Sequence, residues 1–449
     1  MDMPSDWSQL TPQQKRERRI QNFLEPYDIK FASPEAEKDY KTRARRLIDV
    51  YNVREPDRVP VNIMIGTPLP AYLNGIDYYT AIHDYDKAVE AWNKFNREYA
   101  AKLESFASPM QIPAKVFAIL DYKLYTWPGH GQDKSATCFQ FIEGEYMRAD
   151  EYDALIQDPS DFWLRTYLPR VFGIFEPFTE LPPLTDIVEV PTASLMPLAT
   201  PSVQSALQAM LDAGKELSTM LSVVAKHESR GLELGFPVTR GAFCKAPFDT
   251  LGDTLRGTKG IISDMYRQPE KLIKAMDVIA DLLIKSALAQ VNRSMGLVAM
   301  FPLHKGADGW MSRKQFETFY WPYLKKVMNA LINEGVIVSL FAEGSYNTRL
   351  ESVNEFPKGS VHWLFDQTDM ARAKKILGGN CSISGNVPSS LMITGTPQEV
   401  KEYCRNLIET CGKGGGFMLA PGAVTSVETK LENMLAMVEA AKEYGVYLR

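Results

Sequence analysis

Short apolar runs begin near Val238, Leu297, Val336, Val361, Cys381 and Phe417, and each gives way to a segment with apolar residues at helical spacing. Two earlier runs, RVPVNIM at 58–64 and the apolar stretch 113–120, raise the count of strand–helix repeats to eight. Eight such repeats close a parallel (β/α)8 TIM barrel, in which functional groups sit where the strands end. The expected fold class is therefore α/β, a (β/α)8 barrel.

Helix punctuation keeps the register. Thr396-Pro397-Gln398-Glu399 combines a capping box with proline at the first helical position, and Gly412 follows the last apolar residue of that helix. Leu324, Val327, Met328, Leu331 and Ile332 form another stripe, stopped at Gly335. Thr11-Pro12-Gln13-Gln14 opens a short basic helix whose charges, Lys15 to Arg19, form a solvated face.

Two parts fall outside the repeat. Residues 1–55 are helical and charged, best patterned over 40–53, and read as an N-terminal extension that packs on the barrel or on a second subunit, which makes a homodimer one expected assembly. Residues 56–449 make the barrel, with a large insertion over about 121–235 where the alternation lapses. Within the insertion, QFIEGEYM at 140–147 alternates around a glycine and is expected to be a hairpin, and 203–230 a long helix. Trp127-Pro128-Gly129-His130-Gly131 is placed nearest the barrel mouth, against the plainer alternative of a tight turn.

Charge and composition exclude several partners. With 50 basic and 55 acidic residues the net charge is -5, which offers no general attraction for nucleic acid or an anionic membrane. No secretory leader pattern opens the sequence, and no apolar run approaches the roughly 20 residues that span a bilayer, so the expected location is the cytoplasm. Five scattered cysteines fit a reducing compartment, and Cys404 and Cys411 fall on an apolar helix stripe as small core residues.

The chemistry is expected at the strand ends. In VIVSLFAEGSY, 336–346, a buried β-branched strand stops abruptly in a carboxylate and a glycine, so Glu343 points where a substrate lies. LVAMFPLH ends in His304, the histidine best placed for proton transfer or metal ligation; its alternative is a hydrogen-bonded strand end. For Glu343 the alternative is an ion pair with Arg349 or a lysine. Asn62, Arg240, Lys245, Asp308, Arg349, Asp366 and Asn386 are further tip residues expected to bind substrate, with Phe243, Trp310 and Tyr346 as its apolar and aromatic walls. The run GKGGG at 412–416 lacks the spacing of a phosphate loop and precedes a strand.

RVPV at 58–61, GAFCKAPFDTLGDTLRG followed by YRQPEKLIKAM, FAEG, CSISGNVPSSLMITGTPQEV and GGFMLAPGA, in this order, resemble the uroporphyrinogen decarboxylase superfamily from about residue 54 to the end. The resemblance implies a (β/α)8 barrel and one of two activities, tetrapyrrole decarboxylation or methyl transfer involving a corrinoid and a zinc-activated thiol. The decarboxylase's arginine-rich segment after the first strand is replaced here by Ile65-Gly66-Thr67-Pro68, and its late histidine aligns with Pro421. A polycarboxylate substrate then lacks its main partners. The wording SGNVP and LAPG is closer to the methyltransferase branch, but the positions that carry zinc there are Phe341, Glu343 and Ala423 here. With two of three ligands apolar, zinc is not expected at those positions.

The resemblance, read with these departures, implies a corrinoid (cobalamin)-dependent methyltransferase or demethylase subunit acting on a small methylated substrate. The corrinoid is expected on a separate partner protein, since the chain carries no Asp-x-His-x-x-Gly motif. Glu343 and His304 are assigned to protonating or stabilising the leaving group. The alternatives are a cofactor-independent lyase or decarboxylase of a small carboxylated substrate, and a non-catalytic barrel subunit; the fold does not choose among them.

Overall fold

The computed structural model describes residues 6–447 apart from 27, 67, 110, 111 and 191, with the backbone alone at 240. Six parallel strands, Arg240–Phe243, Val298–Leu303, Ile337–Ala342, Val361–Phe365, Ser382–Val387 and Phe417–Pro421, pair in sequence order in one sheet. Each begins at one of the apolar runs read from the sequence. The registers Phe243↔Met300 and Met300↔Ser339 place the first and third of these strands in one continuous sheet.

The chain at 58–64 continues the sheet on the far side of Phe417–Pro421. Val61 bridges Leu419 in parallel, and the amides of Asn62 and Leu419 exchange bonds with Leu419 and Pro60 carbonyls at 2.9 Å. The apolar run at 113–120 is not a strand: residues Ala114–Leu120 form a helix, with Pro113 as its N-cap. AKVFAIL has alanine and lysine among its apolar residues, and Ala114 and Val116 bury while the segment packs on the helix Pro201–Glu233. Proline cannot donate to a ladder but starts a helix at no cost, so the tertiary context favours the helix.

Because strand side chains alternate, the barrel interior is layered. Phe341, Leu364 and Ala420 form its apolar middle with Met64 and Met300. One layer towards the strand starts, His362 accepts and donates within a hydroxyl pair, its Nδ1 2.8 Å from Ser382 Oγ and its Nε2 2.9 Å from Ser384 Oγ. Tyr51 closes this floor edge-on, 5.4 Å from the His362 ring. One layer towards the strand ends lie Glu343 and Asp366.

The helices Pro12–Leu24 and Pro34–Tyr51 cover the starts of the strands, where Phe23, Tyr40, Ile48 and Tyr51 bury with Leu297, Val298 and Ile337. Arg19, expected on the solvated face of its helix, is instead fully buried and donates to the carbonyls of Val291, Gly296 and Glu334, which satisfies the ends of two barrel helices. Gly335 ends one of them at φ +79, and a side chain there would meet the backbone of Lys15 and Arg16. Both capping boxes, at Thr11 and Thr396, form.

Between 121 and 235 the chain forms small strands, short helices and the expected long helix, Pro201–Glu233. Gln140–Phe141 pairs antiparallel with Tyr125–Pro128, so the 140–147 segment takes an upstream partner and makes no hairpin with itself. At 127–130 the chain makes a tight turn, with the buried Trp127 stacked 4.0 Å over His130. No helix among the described residues is long and apolar enough to cross a membrane.

Candidate active site

Two carboxylates from one helical stretch organise the strand ends. After Arg240–Phe243 the chain runs through Pro247–Asp249 into Thr250–Leu255, and Asp249 and Asp253 turn to the same side. Asp249, fully buried, accepts the backbone N–H of His304 and of Lys305, each at 3.0 Å, and the Tyr320 hydroxyl at 2.7 Å. It thereby fixes the turn that leaves the strand Val298–Leu303. Burial, reinforced by the charge of Asp253, pushes the Asp249 carboxyl above the ordinary carboxylate range.

Asp253 gathers three nitrogen donors. His304 Nδ1 lies 2.6 Å from it, Lys245 Nζ 2.8 Å and Lys305 Nζ 2.8 Å. Burial opposes its charge, but the bond from His304 and the two ammonium groups outweigh that and hold its carboxyl well below the usual range. An ionised carboxylate only accepts hydrogen bonds, so Nδ1 of His304 carries a proton and Nε2 is left to face the opening. Burial lowers the His304 pKa, while the Asp253 bond and the charges of Asp249, Asp253 and Glu343 raise it by more; the net direction is up.

Across from Nε2 stands Glu343, whose Oε1 is 3.9 Å away. The residue follows the strand Ile337–Ala342 and is partly exposed. Burial pushes its carboxyl up, with Asp249, Asp366 and Asp253 adding to the rise and His304 opposing it. The 3.9 Å gap is too long for a direct bond, yet an oxygen or nitrogen about 2.8 Å from each group fits between them. Nε2 of His304 and the carboxyl of Glu343 thus face one point.

The other expected site residues divide. Lys245 joins the cluster through Asp253, and Phe243, 58% exposed, ends its strand on the open side. Trp310 packs edge-on to Phe248 at 5.6 Å, with the Lys305 ammonium 5.4 Å from its ring centre. Asp366 accepts the Gly344 N–H at 3.0 Å, and Asn386 donates to the carbonyls of Asp366 and Thr368. A groove of about 990 Å³, lined among others by Asn347, Thr368, Tyr403 and Ala423, opens beside these two.

Four expectations fail on placement. Asn62 lines a separate cleft of about 200 Å³ with Arg43, Glu104 and Thr239, because the chain at 58–64 has advanced only half of its length at that residue. Tyr346 is buried, its amide on Thr368 Oγ1 and its ring against Trp363, so it offers no wall to a substrate. Arg349 is 1% exposed and spends its donors on the carbonyls of Gly306, Ala307 and Met311, which makes it a clamp on the loop after His304. Asp308 belongs to the same clamp, 3.6 Å from Arg349 and bonded to Ser345 and Thr348. Arg349 therefore does not pair with Glu343. The side chain of Arg240 lies outside the described residues.

Metal fits poorly here. Phe341 is buried in the apolar layer and Ala423 has no donor, which leaves Glu343 alone of the three zinc positions. Among the described residues no group of three or more His, Cys, Asp or Glu side chains is arranged to hold a metal ion. Burial pushes the thiols of Cys244, Cys381, Cys404 and Cys411 up to about 12, so these cysteines are core residues.

Residues 193–444 match the family model described as uroporphyrinogen decarboxylase (URO-D). A uroporphyrinogen decarboxylase from Mannheimia succiniciproducens is 26% identical over 200 residues, 43% of this chain and 54% of that protein. One from Geobacter metallireducens is 29% identical over 178 residues, 39% of this chain and 50% of that protein. The chain spans about half the length of the curated relatives it matches. A methyltransferase from Methanosarcina mazei shares the fold at TM-score 0.57 and 16% identity, covering 89% of this chain and 98% of that one.

Proposed function

Because the chain belongs to the uroporphyrinogen decarboxylase family and sets His304 and Glu343 facing one another at its strand ends, we propose that it is a methyltransferase moving a methyl group between a small methylated substrate and a corrinoid on a separate protein. The observation that carries this reading is the His304–Glu343 pair backed by Asp253. The charges around it argue against a polycarboxylate substrate: Lys245 and Lys305 are both engaged by Asp253, and Arg349 is spent on carbonyls.

Removing a methyl group from an ether or amine leaves an alkoxide, phenoxide or amine. His304, held with Nδ1 on Asp253, delivers the proton from Nε2 to that departing atom, and Glu343, in the protonated form that its burial favours, donates a hydrogen bond to the same atom from the other side. Asp249 keeps the His304 backbone fixed, so the proton is delivered without reorganisation. Phe243 and Trp310 supply the apolar wall. The corrinoid of the partner supplies the nucleophilic cobalt that accepts the methyl group. No step runs through zinc, for which the residues do not fit.

The test is direct. Purified protein, a reduced corrinoid protein and a panel of methyl ethers and methylamines should give methyl–cobalt absorbance with at least one substrate. Release of carbon dioxide from a carboxylated substrate without methyl–cobalt formation would replace this reading with the lyase.

A further inference from the structure

The insertion sends one segment onto the Asp253 cluster. Residues 143–147 lie along the turn that follows Thr250–Leu255, where the amides of Tyr146 and Met147 both donate to the Leu255 carbonyl at 2.8 Å. Arg256, buried just beyond, is gripped by the Glu145 carboxylate and the Met147 carbonyl on one side and by Asp264 on the other. The chain then passes Gly257 at φ +66, where a Cβ would stand 3.0 Å from the Gly144 carbonyl oxygen. The next residue, Thr258, is thus placed by the insertion.

Thr258 joins the insertion to the proton donor. Its N–H donates to Glu143 Oε1, and its hydroxyl oxygen accepts the Lys305 ammonium at 3.1 Å. The hydroxyl and the N–H of Thr258, helped by the charge of Lys305, hold the Glu143 carboxyl below its ordinary range against partial burial and Asp253. Glu143 therefore takes the hydroxyl proton as well, which leaves a lone pair of Thr258 open to Lys305. Lys305 Nζ lies 2.8 Å from Asp253 Oδ1, while Oδ2 carries His304 Nδ1 at 2.6 Å and Lys245 at 2.8 Å. Gly252 makes the reach possible, since a Cβ there would meet Lys305 Cε at 2.7 Å. One line of hydrogen bonds runs from Glu143 through Thr258, Lys305 and Asp253 to His304, and each bond in such a line polarises the next.

The charged groups facing His304 are Asp249 and Asp253 from the turn after Arg240–Phe243, Glu343 from the end of Ile337–Ala342, and, through Asp253, Lys245 and Lys305. Besides Asp253, Lys305 has the Thr258 hydroxyl and the Trp310 ring, 5.4 Å away, as neighbours. If the hydroxyl proton is not held by Glu143 it can turn toward Lys305. The ammonium then loses an acceptor and leans further on Asp253, which has less charge left to hold a proton on His304. We propose that Glu143 is a positioning residue for proton delivery: it orients Thr258, and Thr258 keeps Lys305 on Oδ1 of Asp253, clear of the oxygen that His304 uses. The proposal rests on the reading of His304 as the acid that protonates the leaving group.

The test reads His304 itself and does not need turnover. In nitrogen-15 imidazole spectra of the full chain, Glu143→Gln and Thr258→Val should each move the His304 titration down by about half a unit. Thr258→Val changes no charge, so its shift isolates the hydroxyl, and Thr258→Ser should return the wild-type titration. Glu145→Gln removes a neighbouring charge that bonds Arg256 and not Thr258, and should leave His304 unmoved whatever it does to the thermal transition. With a methylated substrate and a corrinoid protein, Glu143→Gln and Thr258→Val should lower kcat about tenfold at unchanged KM. An unmoved His304 in both variants, or an equal shift from Glu145→Gln, would overturn the proposal even in a protein that transfers methyl groups. The expected shifts in a protein that transfers none would uphold the hydrogen-bonded line and overturn the reading on which its purpose rests.

Discussion

Replacing Asp253 by asparagine keeps its shape and removes the one charge that three cations share. Lys305, buried and 2.8 Å away, is left with Thr258 as partner; Lys245 is partly exposed and can rehydrate. Breaking a buried pair by deleting one partner costs about 3–5 kcal/mol, and the escape of Lys245 to water puts the expected loss near the lower end, about 3 kcal/mol. The pH dependence follows from the two shifts. Asp253 is depressed, so its contribution is present above the ordinary carboxylate range and disappears as pH falls through its folded value. His304 is raised, so its contribution is complete below its unfolded value near 6.5 and disappears as pH rises through its folded value. The stability gap between wild type and Asp253→Asn should therefore be wider at pH 5.5 than at a pH above the folded value of His304, where only the lysines remain charged. Scanning calorimetry at the two pH values measures the gap. Nitrogen-15 imidazole spectra, with five histidines to assign, follow the His304 titration, which should move down in the variant. A His304 titration unchanged by Asp253→Asn, or a gap independent of pH, would refute the claim that Asp253 holds His304 in its charged form.

Burial pushes the His362 pKa down to about 4, so its ring should remain neutral at pH 5.5 in the same spectra, and the unfolded chain's extra proton should remove up to about 3 kcal/mol of stability as pH falls from 6.5 to 4. Arg349→Ala should cost about 3–5 kcal/mol by calorimetry through the three carbonyls it leaves bare, and Arg349→Lys should recover little of it because an ammonium cannot reproduce the fork. Since Phe341 and Ala423 offer no ligand atoms, metal analysis of purified protein should find no stoichiometric zinc, and chelators should leave methyl transfer unchanged; one zinc per chain lost on Glu343→Ala would reveal a rearranged site.

All six later runs become strands because buried parallel strands need continuous apolar residues, and such runs are short and sharply bounded; a helix follows five of them, while Ile337–Ala342 is followed by turns at 347–353 in place of the helix its pattern suggests. The run at 113–120 misled because a short apolar stretch is compatible with a strand or with a buried helix, and its proline cap, more than its periodicity, is what distinguishes them. Glu343 and His304 were legible for the same reason as their strands: each stands where an apolar run stops. Asp249 and Asp253 were not, since they sit on helical turns beyond a strand end. The only signal for them is FDTLGD, two aspartates four residues apart among apolar neighbours, which marks carboxylates carried into a core. Tyr346 and Arg349 follow Glu343 closely in sequence, but the loop turns them inward to clamp the neighbouring strand end, which depends on contacts far along the chain.

The central claim is that His304 and Glu343 protonate and stabilise the departing group. Its most direct test is the single-turnover rate of methyl–cobalt formation, measured for wild type, His304→Gln and Glu343→Gln with an active substrate class whose leaving groups span a graded series of pKa. Both side chains are partly exposed, so neither change should cost more than about 1 kcal/mol of stability. The account predicts losses of roughly a hundredfold to ten-thousandfold with the poorest leaving group, shrinking steadily as the leaving group improves. Variants that retain the full rate, or that lose the same factor with every leaving group, would contradict it.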